Sequence, residues 1–187
     1  MATRLRADAR RNRAALLAAA REVFAEQGLD ASLDEIARRA GVGNATLYRR
    51  FPSRRHLIAE VFASHMTAAV HLAEQALEHP DPWAAFVGYL TRVCELQATD
   101  RGLAELLVTT AFDDDERLAG LRIAAQRRAV DVLLRAQRAG RLRSDFTRDD
   151  LGLLMMANAG VAQHSADPHA WRRQLTLVIG GLGTRSA

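Results

Sequence analysis

The sequence predicts an all-α protein of about nine helices, and three observations carry that prediction. Apolar residues recur at steps of three and four along most of the chain, and no stretch alternates apolar and polar residues as a half-buried strand does. Prolines, glycines and potential N-cap residues (Ser, Thr, Asp) fall at helix-length intervals. A hydrophobic content of 49% over 187 residues supplies a sizeable core and argues against disorder. Two units are expected: an N-terminal three-helix domain over residues 1–55, built on a helix-turn-helix at 32–51, and a helical C-terminal domain over 56–187.

The first dozen residues read as an arginine-rich, frayed arm. From Arg11 to Gln27 the positions Leu16, Ala20, Val23, Phe24 and Gln27 form one buried helical face, which Gly28 ends. Ser32-Leu33-Asp34-Glu35 has the pattern of a capping box, in which Ser32 and Glu35 satisfy each other's backbone N–H groups. Leu33, Ile36, Ala37 and Ala40 follow on one face, and Gly41 supplies a left-handed terminator. Val42 can plug the angle to a second helix that Gly43 or Asn44 caps. Leu47 and Phe51 share one face of this second helix, which leaves Thr46, Tyr48, Arg49 and Arg50 pointing elsewhere. Pro52 stops it and Ser53 caps the next helix. A supporting helix, a glycine turn and a second helix with a polar, basic outer face make a helix-turn-helix. Leu17, Phe24, Ile36, Leu47, Phe51 and Leu57 are its expected core.

One long helix is expected from Ser53 to about Glu78, closed by His79-Pro80-Asp81-Pro82. Helices over 83–98 and 103–110 follow, with a break at Asp100. The acidic run Asp113–Glu116 suits a helix start, and the helix it introduces ends at Gly140. Phe146–Asp150 reads as a loop and N-cap before two last helices at 149–163 and 168–182. Their stripes include Leu151 and Leu154 on the first, and Trp171, Leu175, Val178 and Ile179 on the second. These six residues are the candidate interface of a homodimer paired as a four-helix bundle, since a two-fold DNA site requires a dimer.

Charge is unevenly placed. Residues 1–55 hold 12 of the 26 basic residues and 6 of the 22 acidic ones, so the basic excess sits at the helix-turn-helix end. That is the footprint of a phosphate-binding surface. Every basic residue apart from histidine is arginine, which forks phosphates and guanine edges in two-point contacts. Cys94 is the sole cysteine, so no internal disulfide forms, and the six histidines show no metal-ligand spacing. No Gly-rich phosphate loop or nucleophile elbow is present, so neither an enzyme, a cofactor nor a metal site is expected. The N-terminus lacks a signal-peptide core and no apolar run spans a membrane, which points to the cytoplasm.

The stretch DEIARRAGVGNATLYRRFPSRRHL resembles the DNA-binding segment of the TetR family of bacterial repressors, over about Ala14 to Phe62. Its marks are Ile-Ala-x-x-Ala-Gly-Val, then Thr-Leu-Tyr-x-x-Phe, then a small cap, a basic residue and Leu. The segment AGRLRSDFTRDDL and the helix pair after it resemble SbtR-type members. The resemblance implies base and phosphate contacts from Ser32, Gly43, Asn44, Ala45, Thr46, Tyr48, Arg49, Arg50 and Arg54. It departs from the family pattern at Gly43, often serine; at Arg50, often histidine; and at Arg54, often lysine. It also implies a small-molecule cavity in the C-terminal domain, for which Trp83, Phe86, Tyr89, Phe112, Met155 and Asn158 are the candidates. The function implied is a transcriptional repressor that a small-molecule effector releases from a palindromic double-stranded operator. Two alternatives stand beside it: a metal- or redox-responsive regulator using Cys94 or the histidines, and a helical enzyme or structural protein with an incidental basic domain.

Overall fold

The computed structural model describes residues 2–109 and 115–184, with side chains from Asp8 onward. Among the described residues the chain forms nine helices: α1 Ala2–Gln27, α2 Leu33–Arg39, α3 Asn44–Arg50, α4 Arg54–Glu78, α5 Pro82–Thr99, α6 Arg101–Val108, α7 Glu116–Arg138, α8 Arg148–His164 and α9 Ala170–Leu182. The arginine arm is helical from Ala2, so α1 begins nine residues before the expected Arg11. Asp113 and Asp114 lie outside the described residues.

Caps set most of the boundaries. Asp81 accepts from the N–H groups of Trp83 and Ala84, and Pro82 sits where a helix needs no donor. Asp100 caps α6 and Asp115 caps α7. Thr147 and Asp150 form the capping box that opens α8. The box expected at Ser32 does not form: the Ser32 side chain makes no cap bond. Glu35 instead accepts two 2.8 Å bonds from Arg38 and a third from Arg39, because a forked guanidinium binds a carboxylate more strongly than a lone backbone N–H does. At its other end α2 closes as expected. Gly41 has φ +67°, its N–H reaches the Arg38 carbonyl, and the Val42 N–H reaches Ala37.

Two apolar clusters hold the helices together. The first joins Leu16, Val23 and Phe24 of α1 to Ile36, Leu47, Phe51, Leu57, Phe62 and Met66, and continues into Leu103 and Leu106 of α6 and Leu118 of α7. Leu17, an expected core residue, is only half-buried at its edge, and Leu16 takes the central place. The second gathers Phe86, Leu90 and Cys94 of α5, Val132 and Leu133 of α7, and Leu151, Leu154, Trp171 and Leu175 of α8 and α9. Helix α4 contributes to both clusters and packs most extensively along α7. Gly102 lets α6 approach closely, since a Cβ there would stand 2.9 Å from the Phe24 carbonyl and from Phe62 Cζ. At the far end of α4, Arg135 of α7 donates to the carbonyls of Ala76, His79 and Pro80. No described helix is long and apolar enough to cross a membrane.

Candidate nucleic-acid interface and cavity

Leu47 fixes α3 to the first cluster, and with that residue buried the opposite face is turned outward. Gly43, Asn44, Ala45, Tyr48, Arg49 and Arg50 are exposed, Thr46 is half-buried, and Ser32 is exposed at the start of α2. Tyr48 is 50% exposed, unusual for an aromatic ring with nothing to cover it. Neither Tyr48 nor Arg50 makes a hydrogen bond or ion pair among the described residues, whereas Arg49 reaches back to Thr46 Oγ1 at 3.4 Å. The Asn44 amide donates to Asp34 at 2.7 Å and so ties α3 to α2.

Other arginines of this half are spent internally. Arg39 pairs with Glu26 at 2.9 Å and Glu35 at 3.3 Å, joining α2 to α1, and Arg38 pairs with Glu35. Their hydrogen bonds hold both carboxyls below the usual range: Arg39 acts first on Glu26, and Arg38 first on Glu35. Arg13 pairs with Glu60 and lies 5.9 Å over the Phe51 ring. Arg54, expected at a phosphate, turns inward: its guanidinium donates to the carbonyls of Leu29 and Ala31 in the α1–α2 loop. Those carbonyls lie outside any helix and need a donor, and the half-buried Arg54 is within reach. Arg55, the next residue, is exposed in the first turn of α4 and was not singled out from sequence; only the phase of α4 against the core tells the two apart.

A cavity of about 570 Å³ opens between α4, α5, α6, α7 and α8. Small residues make up part of its lining: Ala68 and Ala69 on α4, Ala125 and Ala129 on α7, and Gly152 on α8. Of the expected ligand residues, Tyr89 and Met155 line it. Trp83 and Phe86 do not; they pack together at 5.9 Å, with Phe86 edge-on to Phe146. Asn158 is buried beside the cavity, where its amide donates to the Cys94 carbonyl and to Gln97 Oε1. Phe112 lies outside the described residues. Sequence reasoning missed the walls from α4 (Met66, Leu72) and α6 (Leu103, Leu107, Val108). Their signal was the run of alanines opposite bulky residues at helical spacing.

Helix α6 faces two ways. It walls the cavity, and its Glu105 carboxylate accepts the Leu29 N–H at 2.7 Å, in the same loop that Arg54 holds. Cys94 is fully buried, and burial pushes its thiol up to about 12, far from the reactive thiolate of a redox sensor. Among the described residues no three His, Cys, Asp or Glu side chains gather as a metal site would require.

The residues expected at a dimer seam differ in exposure within one protomer. Leu151, Leu154, Trp171 and Leu175 are at most 8% exposed, buried in their own protomer, and Val178 and Ile179 are half-buried. Both stripes pack into the second cluster with α5 and α7, because helices hide their most apolar faces first. Leu153 and Met156 on α8, which also line the cavity, and Leu177 on α9 are 47–61% exposed.

Comparison with known proteins agrees with this architecture. Residues 16–61 match the bacterial regulatory proteins of the tetR family, and residues 81–184 match the C-terminal domain of SbtR-like transcriptional regulators. An uncharacterised HTH-type transcriptional regulator of Mycobacterium bovis is 29% identical over 89% of this chain and 91% of its own length. The HTH-type transcriptional repressor BepR of Brucella suis is 26% identical over 84% of this chain and 81% of its own. The crystal structure of a TetR transcription regulatory protein from Mycobacterium vanbaalenii is 32% identical, with a TM-score of 0.60 over 96% of this chain and 99% of that one. With its exposed recognition helix, its second helical unit and matches over both, this chain belongs to the TetR family and is a DNA-binding transcriptional regulator.

Proposed function

We propose that the chain is a homodimeric repressor that leaves a palindromic operator when a small molecule fills the α4–α8 cavity. The observation that carries this reading is the double role of α6, which walls the cavity and through Glu105 holds the loop leading into the helix-turn-helix. Residues 1–55 are the reading unit, and 56–187 are the sensing and pairing unit. In the dimer, two copies of α3 enter successive major grooves roughly 34–36 Å apart. Tyr48 and Arg50 reach the DNA directly. Ser32, Gly43, Asn44, Ala45, Thr46 and Arg49 surround them, and Asn44 exchanges Asp34 for a DNA partner. Arg54 positions the α1–α2 loop, and the exposed Arg55 stands nearest the backbone phosphates at the start of α4.

The dimer seam lies on α8 and α9, where Leu177 is exposed, and a second copy that covers Leu153 and Met156 there also covers part of the cavity lining. The BepR relative, named a repressor, supports the sign of regulation. A DNA target places the protein in the cytoplasm. The effector acts only through its different affinity for the DNA-competent and released conformations. The test is binding to DNA from upstream of the chain's own gene, read by fluorescence anisotropy across salt. Tyr48→Ala and Arg50→Ala should each weaken it by roughly 5- to 100-fold, the range of one good contact. Unchanged affinity and salt slope in both would refute the assignment.

A further inference from the structure

The cavity wall is mostly aliphatic, with His65, Tyr89, Arg122, Gln126, Arg148 and Asp149 as its polar members; Arg122 is half-buried and donates to the Thr109 carbonyl at 2.7 Å. Gln126, Arg148 and Asp149 are exposed and form the rim, where Arg148 donates to Gln126 across the mouth at 3.0 Å. His65 already turns one ring nitrogen toward the Val61 carbonyl at 3.4 Å and the other toward Asp100 at 3.6 Å. Tyr89 differs from all of these. It is 8% exposed and lines the cavity, yet its hydroxyl makes no hydrogen bond among the described residues.

A buried phenol normally finds a partner, because losing water without replacement is costly. The surrounding wall gives it no partner and the hydroxyl keeps access to the cavity, so a group that enters the cavity meets an unspent donor. Burial pushes the Tyr89 phenol up to about 12, so at neutral pH it is an uncharged O–H donor. A single neutral donor in an apolar wall satisfies a carbonyl or ether oxygen.

We infer that the effector is a largely apolar molecule with an accepting oxygen that the Tyr89 hydroxyl holds. This rests on the reading of the cavity as the effector site. The test uses a shape-matched pair of probes, benzophenone and diphenylmethane, which differ by the carbonyl, and follows their binding to the full chain by calorimetry. Tyr89→Phe should weaken benzophenone roughly 3- to 10-fold, the worth of one net hydrogen bond, and leave diphenylmethane bound, which also shows that the cavity is intact. In the wild-type protein the carbonyl stretch of bound benzophenone should fall to the hydrogen-bonded position.

An unshifted stretch, or equal loss of both probes in the variant, overturns the role of Tyr89. If neither neutral probe binds the wild-type protein, the inference falls. Operator binding, measured separately, then tells whether the DNA-binding reading stands without a sensing cavity.

Discussion

Glu105 and Gly28 make a coupled pair whose energetics follow from their geometry. Gly28 ends α1 with φ +87°, and a Cβ there would fall against the Glu105 carboxylate, whose Oε2 would be only 2.8 Å away. That same oxygen accepts the Leu29 N–H at 2.7 Å. Glu105→Ala removes a charge-assisted bond and leaves the N–H of a residue 7% exposed without that acceptor. The carboxylate is 29% exposed, so water recovers part of the loss, and the expected cost is about 1–2 kcal/mol. For a chain of this size that lowers Tm by roughly 2–8 °C. Gly28→Ala costs about 1–2 kcal/mol for the left-handed backbone, and it also forces Glu105 aside, so the bond is lost again. The double variant should therefore be about 1–2 kcal/mol more stable than the sum of the two single losses predicts. Urea unfolding of the four proteins, with comparable m values, measures this. Strict additivity would refute the geometry, as would a Glu105→Ala loss under about 0.3 kcal/mol.

Three further outcomes are expected. Gly102→Ala puts a methyl against the Phe24 carbonyl and Phe62, and overpacking should cost about 1–3 kcal/mol in the same urea assay; wild-type stability would mean that α6 does not sit this close to α1. Leu177→Arg should shift the chain from dimer to monomer by light scattering, whereas Trp171→Ala should lower stability instead; a dimeric Leu177→Arg variant would move the seam elsewhere. Acid should destabilise the fold. The carboxyls of Glu26, Glu35, Asp81, Asp145 and Asp150 lie below their ordinary values, through Arg39, Arg38, the Ala84 N–H, Arg143 and Thr147 respectively. A depressed carboxyl contributes stability that is fully present above its unfolded value, 3.8 for Asp and 4.5 for Glu, and is lost as pH falls through the lower folded value. Urea midpoints should therefore decline below those values, and a midpoint that rises on acidification would contradict these pairings.

Much of this was written locally in the chain. Gly41, Ser53, Asp81 and Gly140 act within a few residues of themselves, so their capping roles were readable from order alone. The exposed face of α3 was readable because Leu47 and Phe51 fix its phase. What escaped depends on which helix faces which. Leu151, Leu154, Trp171 and Leu175 form genuine apolar stripes, but periodicity cannot say whether the partner is a neighbouring helix or a second chain. The cavity draws its lining from α4, α5, α6, α7 and α8, and bulky aromatics such as Trp83 and Phe86 drew attention toward the solid core instead. Ser32 and Arg54 were matched to motifs, but closer competitors, the Arg38 fork for Glu35 and the loop carbonyls for Arg54, redirect the bonds.

Arg135 changes what α4 can do. By gripping the carbonyls of Ala76, His79 and Pro80, it pins one end of a 25-residue helix to α7 while the other end carries the recognition helix. A helix of that length spans about 38 Å, so a swing of only about 5° about the pinned end carries its tip by roughly 3 Å. That displacement is as long as a hydrogen bond. Opposite swings in two protomers would change the spacing of the recognition helices by about twice as much, so an effector need only tip the helix slightly to spoil the fit to DNA.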